Sequence, residues 1–179
     1  MKKNLIVLVA GLPGVGKTSI ANKIAEVYSE NELNPLRIDI DDIKREVVPM
    51  DQLSSGIDSD EVRGSYYKLA TVRASNSLKG NFDVVIMEEV FHRKHLRKYI
   101  EKIAMNSNFK VLWVHVTCPY ETVENRLVEK NRAISGHILS TDTALRMNRE
   151  FGKMFDSFSE NFITIKNTKK ISITKELFI

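Results

Sequence analysis

The strongest chemical signal in the sequence is the segment GLPGVGKT at positions 11–18. Gly11, Gly16, Lys17 and Thr18 occupy the fixed positions of a phosphate-binding loop, in which glycines let backbone amides turn inward around an anion. In such loops the lysine reaches the β- and γ-phosphates and the hydroxyl ligates Mg²⁺. The motif therefore predicts a nucleoside triphosphate site, and we assign the nucleotide contacts to Gly11, Pro13, Gly14, Val15, Gly16, Lys17, Thr18 and Ser19.

Three aspartates in the segment RIDIDDIKRE form a second candidate group, at positions 39, 41 and 42. They follow an apolar run, and the carboxyl end of such a strand lies at the same sheet edge as the phosphate loop. A carboxylate there could accept a proton from a hydroxyl that attacks the γ-phosphate. We select Asp41 for this role and expect Asp42 to cap a helix that begins at Ile43, although either aspartate could be only a cap.

Two glutamates follow the apolar run VVIM, at positions 88 and 89. Phosphate-loop proteins usually carry an acidic residue here that binds Mg²⁺ directly or through water. Glu88 is the better candidate because it comes directly after the run, so the predicted metal ligands are Thr18 and Glu88. The alternative is a solvated pair of carboxylates at the end of a strand.

Apolar runs and helical patterns alternate along the chain. A run without polar alternation is typical of a strand buried on both faces of a parallel sheet. Between the runs, apolar residues recur at helical spacing, and Asp58 with Glu61 resembles a capping box that opens a helix ending near Gly80. The alternation predicts an α/β protein with a parallel sheet between two helical layers. The predicted strands are 5–10, 36–40, 84–87, 111–116 and 162–165.

The segment NRAISGHILS, positions 131–140, interrupts this pattern because it is polar and contains a glycine. A mobile lid and a plain surface loop are both consistent with this composition. Since no stretch is rich enough in proline or serine to be an interdomain linker, we expect one domain over residues 1–179 with a lid at about 130–140.

Taken together, GLPGVGKT, DIDDIKRE, EEVFHR and CPYETVENRLVEKNR resemble the P-loop small-molecule kinases related to chloramphenicol phosphotransferase and polynucleotide kinase. The resemblance extends from Leu5 to about Asp156. It implies a three-layer P-loop fold whose five parallel strands are ordered 2-3-1-4-5. It also implies that the aspartate after strand two is the catalytic base and that a following basic residue contacts the acceptor, and these positions are Asp41 and Lys44.

The same resemblance implies roles for basic residues near the lid. Arg126, Lys130 and Arg132 match an arginine-bearing helix that leads into an arginine-bearing lid. One of them would stack beside the adenine and the others would neutralise charge on the transferring phosphate. For Lys130 and Arg132 the alternative is a solvated cation at a helix end. Family members often have aspartate where this chain has Glu88, so Glu88 would reach the metal through a longer side chain.

Composition limits the other classes of function. A net charge of +4 over 179 residues fits an anionic ligand such as a nucleotide and is mild for a dedicated nucleic-acid binder. The single cysteine, Cys118, cannot form an internal disulfide, and no apolar run reaches the roughly 18 residues of a membrane span. The short apolar start runs directly into the phosphate loop, so we interpret it as strand one of a cytoplasmic protein and not as a secretory signal.

These observations predict an ATP-dependent kinase with Mg²⁺ that phosphorylates a hydroxyl of a small molecule. The acceptor is expected among Asp41, Lys44 and the loop from Glu89 to Arg93. One alternative is a nucleotide or polynucleotide kinase, for which Lys44, Arg45 and Arg63 could form a basic groove. Another is a regulatory ATP- or GTP-binding module without a kinase substrate.

Overall fold

The computed structural model describes residues 4–49, 58–129, 140–158 and 162–168. The predicted lid at about 130–140, with Lys130 and Arg132, lies outside these residues except for Ser140. The site is therefore built below from the sheet, the helices and the loops that connect them within the described ranges.

Five strands form one sheet with the order β2-β3-β1-β4-β5, and every neighbouring pair is parallel. The predicted fold class and strand order are confirmed. β1 lies at the centre, and all six of its residues are buried, as the continuous apolar run LIVLVA requires. The strands are β1 Leu5–Ala10, β2 Pro35–Asp39, β3 Val84–Glu89, β4 Lys110–Thr117 and β5 Phe162–Lys166.

Helices cover both faces of the sheet and create two hydrophobic clusters. Within the described residues the helices are α1 Lys17–Glu30, α2 Ile40–Val47, α3 Asp60–Lys79, α4 Lys94–Asn106, α5 Tyr120–Glu129 and α6 Thr141–Met154. One cluster joins the sheet to α1, α5 and α6, and the other joins it to α2, α3 and α4.

The edge strands differ from the prediction of five buried strands. β2 has no fully buried residue, and in β5 only Ile165 is buried. Both strands lie at sheet edges, where each has a neighbour on one side only. Apolar composition alone therefore did not separate edge strands from central strands.

Two helix starts at the carboxyl edge of the sheet also differ from the prediction. α2 begins at Ile40, and its cap is Asp39, whose Oδ1 accepts the N–H of Asp41 at 2.9 Å. Asp42 is not a cap, because it already lies in the first turn, where its side chain pairs with Arg45. α3 is capped by Ser59 and not by Asp58, and it ends at Lys79 with Gly80 as its C-cap, close to the predicted end.

No helix within the described ranges has the length and apolar character needed to cross a membrane.

Candidate functional site

A cavity of about 170 Å³ opens at the carboxyl edge of the sheet, between the phosphate loop and α2, α3 and α6. One side, the phosphate wall, consists of Pro13, Gly14, Lys17 and Thr18. The opposite side, which we call the acceptor wall after the predicted acceptor contacts Asp41, Lys44 and Glu89, consists of Asp39, Asp41, Lys44, Asp58, Arg63, Glu88 and Glu89. Apolar side chains complete the rim, and they are Val90, Leu127, Ala144, Met147 and Phe151.

The phosphate wall has the backbone shape that the glycine motif predicts. Gly16 is the N-cap of α1 and has a φ of 92°, in the left-handed region that favours glycine. A Cβ at Gly16 would lie 2.3 Å from Asn167 Nδ2, and one at Gly14 would lie 2.6 Å from Val123 Cγ1. Both positions therefore require glycine, and the loop leads directly into the N-terminus of α1, where backbone amides favour an anion.

Two asparagines far along the chain hold this loop by its carbonyl oxygens. Asn148 Nδ2 donates to Pro13 O at 2.6 Å, and Asn167 Nδ2 donates to Val15 O at 2.7 Å. The sequence analysis did not identify either residue. For Asn148 a signal existed, because it shares the spacing of Ala144 and Phe151 and is thus a polar residue on the apolar face of α6.

Lys17 is the cation of the phosphate wall, and its Nζ donates to Leu12 O at 3.2 Å. Burial lowers the pKa of Lys17, while the surrounding carboxylates of Glu89, Glu88 and Asp41 oppose that shift. These carboxylates come from β3 and α2. The fold therefore brings Lys17, Asp41 and both glutamates together, as the sequence analysis expected.

The oxygens near the phosphate wall are of the type that binds Mg²⁺, but among the described residues no three acidic, histidine or cysteine side chains form a complete metal-binding group. The Thr18 hydroxyl and the carboxylates of Asp39, Asp41 and Glu88 line one cavity. Burial is the main cause of the raised pKa of Asp39, and the charges of Asp41 and Glu88 raise it further. A bound cation would relieve this accumulation of negative charge, and Mg²⁺ typically needs only one or two protein carboxylates beside phosphates and waters.

Glu88 is not a solvated strand end. It belongs to β3, is buried, and forms an ion pair with Arg37 of β2. Arg37 also donates to Asn22 of α1. The carboxylate is therefore held beside the phosphate loop by a neighbouring strand.

The acceptor wall contains a buried group of paired charges. Lys44 Nζ lies 2.6 Å from Asp58 Oδ2, and both side chains are less than one-tenth exposed. Asp58 also accepts the hydroxyl of Tyr66 at 3.1 Å and lies 3.9 Å from the Arg63 guanidinium. Asp58, predicted as a helix cap, is thus a buried counter-ion for the predicted acceptor residue Lys44.

Glu89 is the second buried carboxylate of this wall. It accepts hydrogen bonds from Arg63 at 2.8 Å, from the Tyr67 hydroxyl at 2.6 Å and from the Phe91 amide at 2.8 Å. Burial alone would raise the pKa of Glu89, but Arg63 and the two hydrogen bonds hold it below the usual range. Phe91 has a φ of 49°, a strained conformation for a bulky residue that this amide contact helps to hold.

Arg63 links the charges to the aromatic rim. It is 2% exposed, and its guanidinium lies over the Phe151 ring at 4.9 Å. The same ring lies 4.8 Å from His92. Arg63 Nε is buried and has no hydrogen-bond partner among the described residues. The sequence analysis considered Arg63 only as part of a basic groove and overlooked Phe151.

Two predicted site residues outside the phosphate loop and α1 do not line the cavity. Arg93 contacts Asp60 and the sulfur of Met154, and this places it at the start of α4, behind the rim. Arg126 lies on the far side of the phosphate loop, where its NH1 is 3.5 Å from Cys118 Sγ and would be 3.9 Å from a Cβ at Gly16. Of the residues assigned to the nucleotide, Gly11, Val15, Gly16 and Ser19 belong to the loop and α1 without lining this cavity.

A family model described as an AAA domain matches residues 6–154 of the chain. The chain belongs to this AAA domain family. The match spans the phosphate loop, both groups of carboxylates and the whole of α6. All cavity-lining residues therefore fall inside the family region.

Solved structures with the same fold include proteins named as kinases and proteins in complex with AMPPNP or ADP-AlF3. A gluconokinase from Sinorhizobium meliloti 1021 has a TM-score of 0.66 and 17% identity, over 93% of this chain and 85% of that one. The APS kinase of Mycobacterium tuberculosis, in complex with AMPPNP and APS, has a TM-score of 0.63 and 14% identity, over 96% and 92%. Kti12 of Chaetomium thermophilum, in complex with ADP-AlF3, has a TM-score of 0.65 and 15% identity, over 90% and 88%. At these identities the similarity shows a shared fold.

Proposed function

We propose that this AAA-family protein is an ATP-dependent kinase that transfers the γ-phosphate to a hydroxyl of a small molecule. The observation that carries the proposal is a single cavity with two chemically different walls. One wall presents a phosphate loop with Lys17, and the other presents Asp41 beside buried polar groups. A cavity of this kind can hold a triphosphate and an acceptor side by side.

The comparisons support a kinase without specifying the acceptor. Two proteins that share the fold are named as kinases, and one of them, the APS kinase, is in complex with AMPPNP and APS. The motifs also resemble the narrower group of small-molecule kinases related to chloramphenicol phosphotransferase and polynucleotide kinase. We retain that relationship as part of the proposal.

In the proposed reaction, Asp41 accepts the proton of the acceptor hydroxyl as its oxygen forms a bond to the γ-phosphorus. The bond between the γ-phosphorus and the bridging oxygen breaks, and ADP leaves with the electron pair. Lys17 neutralises charge on the β- and γ-phosphates during this transfer. Thr18 and Glu88 would hold Mg²⁺, which supplies further neutralisation of the phosphate charge when it is bound.

Arg126 has a separate role in the proposal because it lies behind the phosphate loop. Its position near Gly16 and Cys118 suits contact with the nucleoside part of ATP. Lys130 and Arg132, outside the described residues, are proposed to act with it from the lid. Lys44, Glu89 and Arg93 are proposed to shape the acceptor site, with Arg93 acting from behind the rim.

Replacement of Asp41 by Asn tests the proposed base. Asn preserves the size of the side chain but lacks the lone pair that accepts a proton, so phosphorylation of an acceptor should fall by about 10²- to 10⁴-fold. ATP affinity should change little. The measurement is the rate of acceptor phosphorylation, identified with a panel of hydroxyl compounds, together with ATP binding by calorimetry.

Asp42→Asn is the matched control because Asp42 is the adjacent aspartate, is exposed and forms its ion pair with Arg45, away from the cavity. This variant should phosphorylate at the wild-type rate. The assignment of the base fails if Asp42→Asn is the damaging change and Asp41→Asn is tolerated.

A further inference from the structure

The charges of the acceptor wall limit the class of molecule that can bind there. This inference rests on the proposed function, because it concerns the acceptor of the same site. Two cations face the cavity from this wall, Lys44 and Arg63. A phosphate or carboxylate group on an acceptor is normally recognised by an arginine or lysine whose charge is available to it.

Each cation of the acceptor wall already has a carboxylate counter-ion within the wall, and the one donor of these two side chains that lacks a hydrogen-bond partner among the described residues is Arg63 Nε. Lys44 is paired with Asp58 at 2.6 Å, and Arg63 is paired with Glu89 at 2.8 Å. Asp58 lies close enough to Arg63, at 3.9 Å, to act on both cations. All four side chains are largely buried, with exposures between 3% and 11%, so water does little to screen these charges.

The rest of the acceptor wall is acidic. Asp39 and Asp41 line the cavity on the side of α2. Arg45, which could have continued a basic groove from Lys44, is exposed and pairs with Asp42. Arg93 is directed to Asp60. Within the described residues, the cavity therefore has no free cation besides Lys17, which faces the nucleotide phosphates.

We propose that the acceptor is an uncharged or positively charged hydroxyl compound, and not a phosphorylated or carboxylated one. Among the described residues, a second anion beside the triphosphate would meet Asp41, Asp58 and Glu89, and the cations of the acceptor wall are already paired. A neutral polyol or an amino alcohol meets hydrogen-bonding carboxylates that suit its hydroxyl or ammonium groups. This class excludes nucleotides and polynucleotides, which the sequence analysis kept as alternatives.

The test uses sulfate as the probe of an available cation. The full-length protein is first saturated with Mg²⁺ and a non-hydrolysable ATP analogue, so that the phosphate loop is filled. Thermal stability is then measured against sulfate concentration. Wild type should show no saturable stabilisation up to the highest sulfate concentration used. Asp58→Asn, which leaves Lys44 without its counter-ion, should be stabilised saturably, with a midpoint at least about tenfold below that highest concentration.

Matched variants separate this effect from a general change in charge. Asp42→Asn removes one exposed carboxylate and should behave as wild type. Addition of Lys44→Met to Asp58→Asn should abolish the gain. If Asp58→Asn does not fold, Glu89→Gln takes its place. This variant removes the nearest counter-ion of Arg63 and should therefore also gain affinity for sulfate.

The proposal is overturned if wild type binds sulfate saturably and Lys44→Met removes that binding. It is also overturned if at least one of the variants Asp58→Asn and Glu89→Gln folds and no variant that folds gains affinity for sulfate. Binding of the ATP analogue is measured in the same experiment as a separate result, so a failure to bind nucleotide counts against the proposed kinase and not against the charge of the acceptor wall. Among the hydroxyl compounds of the acceptor panel, each accepted compound should have a higher kcat/KM than its phosphorylated counterpart.

Discussion

The phosphate wall and the acceptor wall face each other across one cavity but are built on different physical principles. The phosphate wall belongs to a continuous segment of eight residues whose function resides in its backbone, with Lys17 donating to the loop carbonyl of Leu12. The acceptor wall is assembled from side chains of α2, β3 and α3 and the residues just before α2 and α3, and its cations are paired with carboxylates.

This difference indicates how the two walls discriminate between ligands. A loop of inward-facing amides binds any triphosphate, because all triphosphates present the same charged oxygens. A wall whose charges neutralise one another provides little favourable binding free energy for an anion. It instead offers directional hydrogen bonds to a specific arrangement of hydroxyl groups. We therefore expect affinity to depend mainly on the first wall and the choice of acceptor to depend on the second.

The largest expected effect on stability comes from breaking the acceptor wall with Glu89→Ala. This change removes the nearest counter-ion of the buried Arg63, leaving only Asp58 at 3.9 Å, and removes the acceptor of the Tyr67 and Phe91 hydrogen bonds. The free energy of unfolding should fall by about 3–5 kcal/mol, as measured by chemical denaturation.

The control for this change is Glu46→Ala, which removes an ion pair with Arg73 at the protein surface. Because exposed pairs contribute little, its unfolding midpoint should match wild type. Equal losses in the two variants would show that the buried pairs have no special structural role.

The next effect concerns the phosphate wall alone. Lys17→Ala should abolish nucleotide-dependent stabilisation because Lys17 is the main positive charge opposite the terminal phosphates. At an ATP concentration one hundred times its Kd, wild type should gain about 2.7 kcal/mol, which the variant should lack. Thermal shifts of equal size in the two proteins would contradict the assignment of the phosphate site.

The smallest expected effect is a pH dependence of the unfolding free energy that comes from His92, which contacts the rim residue Phe151. Burial and the charge of Arg63 lower the pKa of His92 to about 4, from the ordinary value of 6.5. Between these values the unfolded state binds more protons, so acidification destabilises the folded state within this window. From pH 7 to pH 5 the contribution of His92 should fall by at most about 2 kcal/mol.

This prediction is checked by measuring unfolding free energies of wild type and His92→Gln at both pH values. The variant should lose less stability on acidification, whereas His95→Gln, at an exposed histidine near the start of α4, should follow wild type. An identical pH dependence in wild type and His92→Gln would remove His92 as the source of the effect.

The sequence was sufficient for the strands and for the phosphate loop because both depend on local patterns, whereas the strand order was predicted from the resemblance to P-loop kinases. Continuous apolar runs located all five strands, and GLPGVGKT located the loop without reference to any distant residue. Boundaries were less accurate where several aspartates competed for one helix end. Asp39 caps α2 because its backbone is extended at the end of β2, and no local pattern distinguished it from Asp42.

The acceptor wall was predicted only in part because its properties depend on contacts distant in sequence. Lys44 and Glu89 were expected to face a substrate, but their counter-ions Asp58 and Arg63 become recognisable only when α2, β3 and α3 are placed together. The left-handed backbone of Phe91 could not be predicted from the sequence either, because phenylalanine is rarely found in that conformation. The asparagines that hold the phosphate loop are more than one hundred residues away from it in sequence.

The most direct test of the central claim is the fate of the γ-phosphate. The protein is incubated with Mg²⁺ and ATP labelled in the γ-phosphate, with and without a panel of neutral and amino alcohols, and the labelled products are separated. The two-walled cavity predicts that label moves to a hydroxyl compound and that the Lys17→Ala variant transfers none. Label that appears only as inorganic phosphate, at a rate no compound in the panel changes, would contradict a kinase and indicate a regulatory nucleotide-binding module.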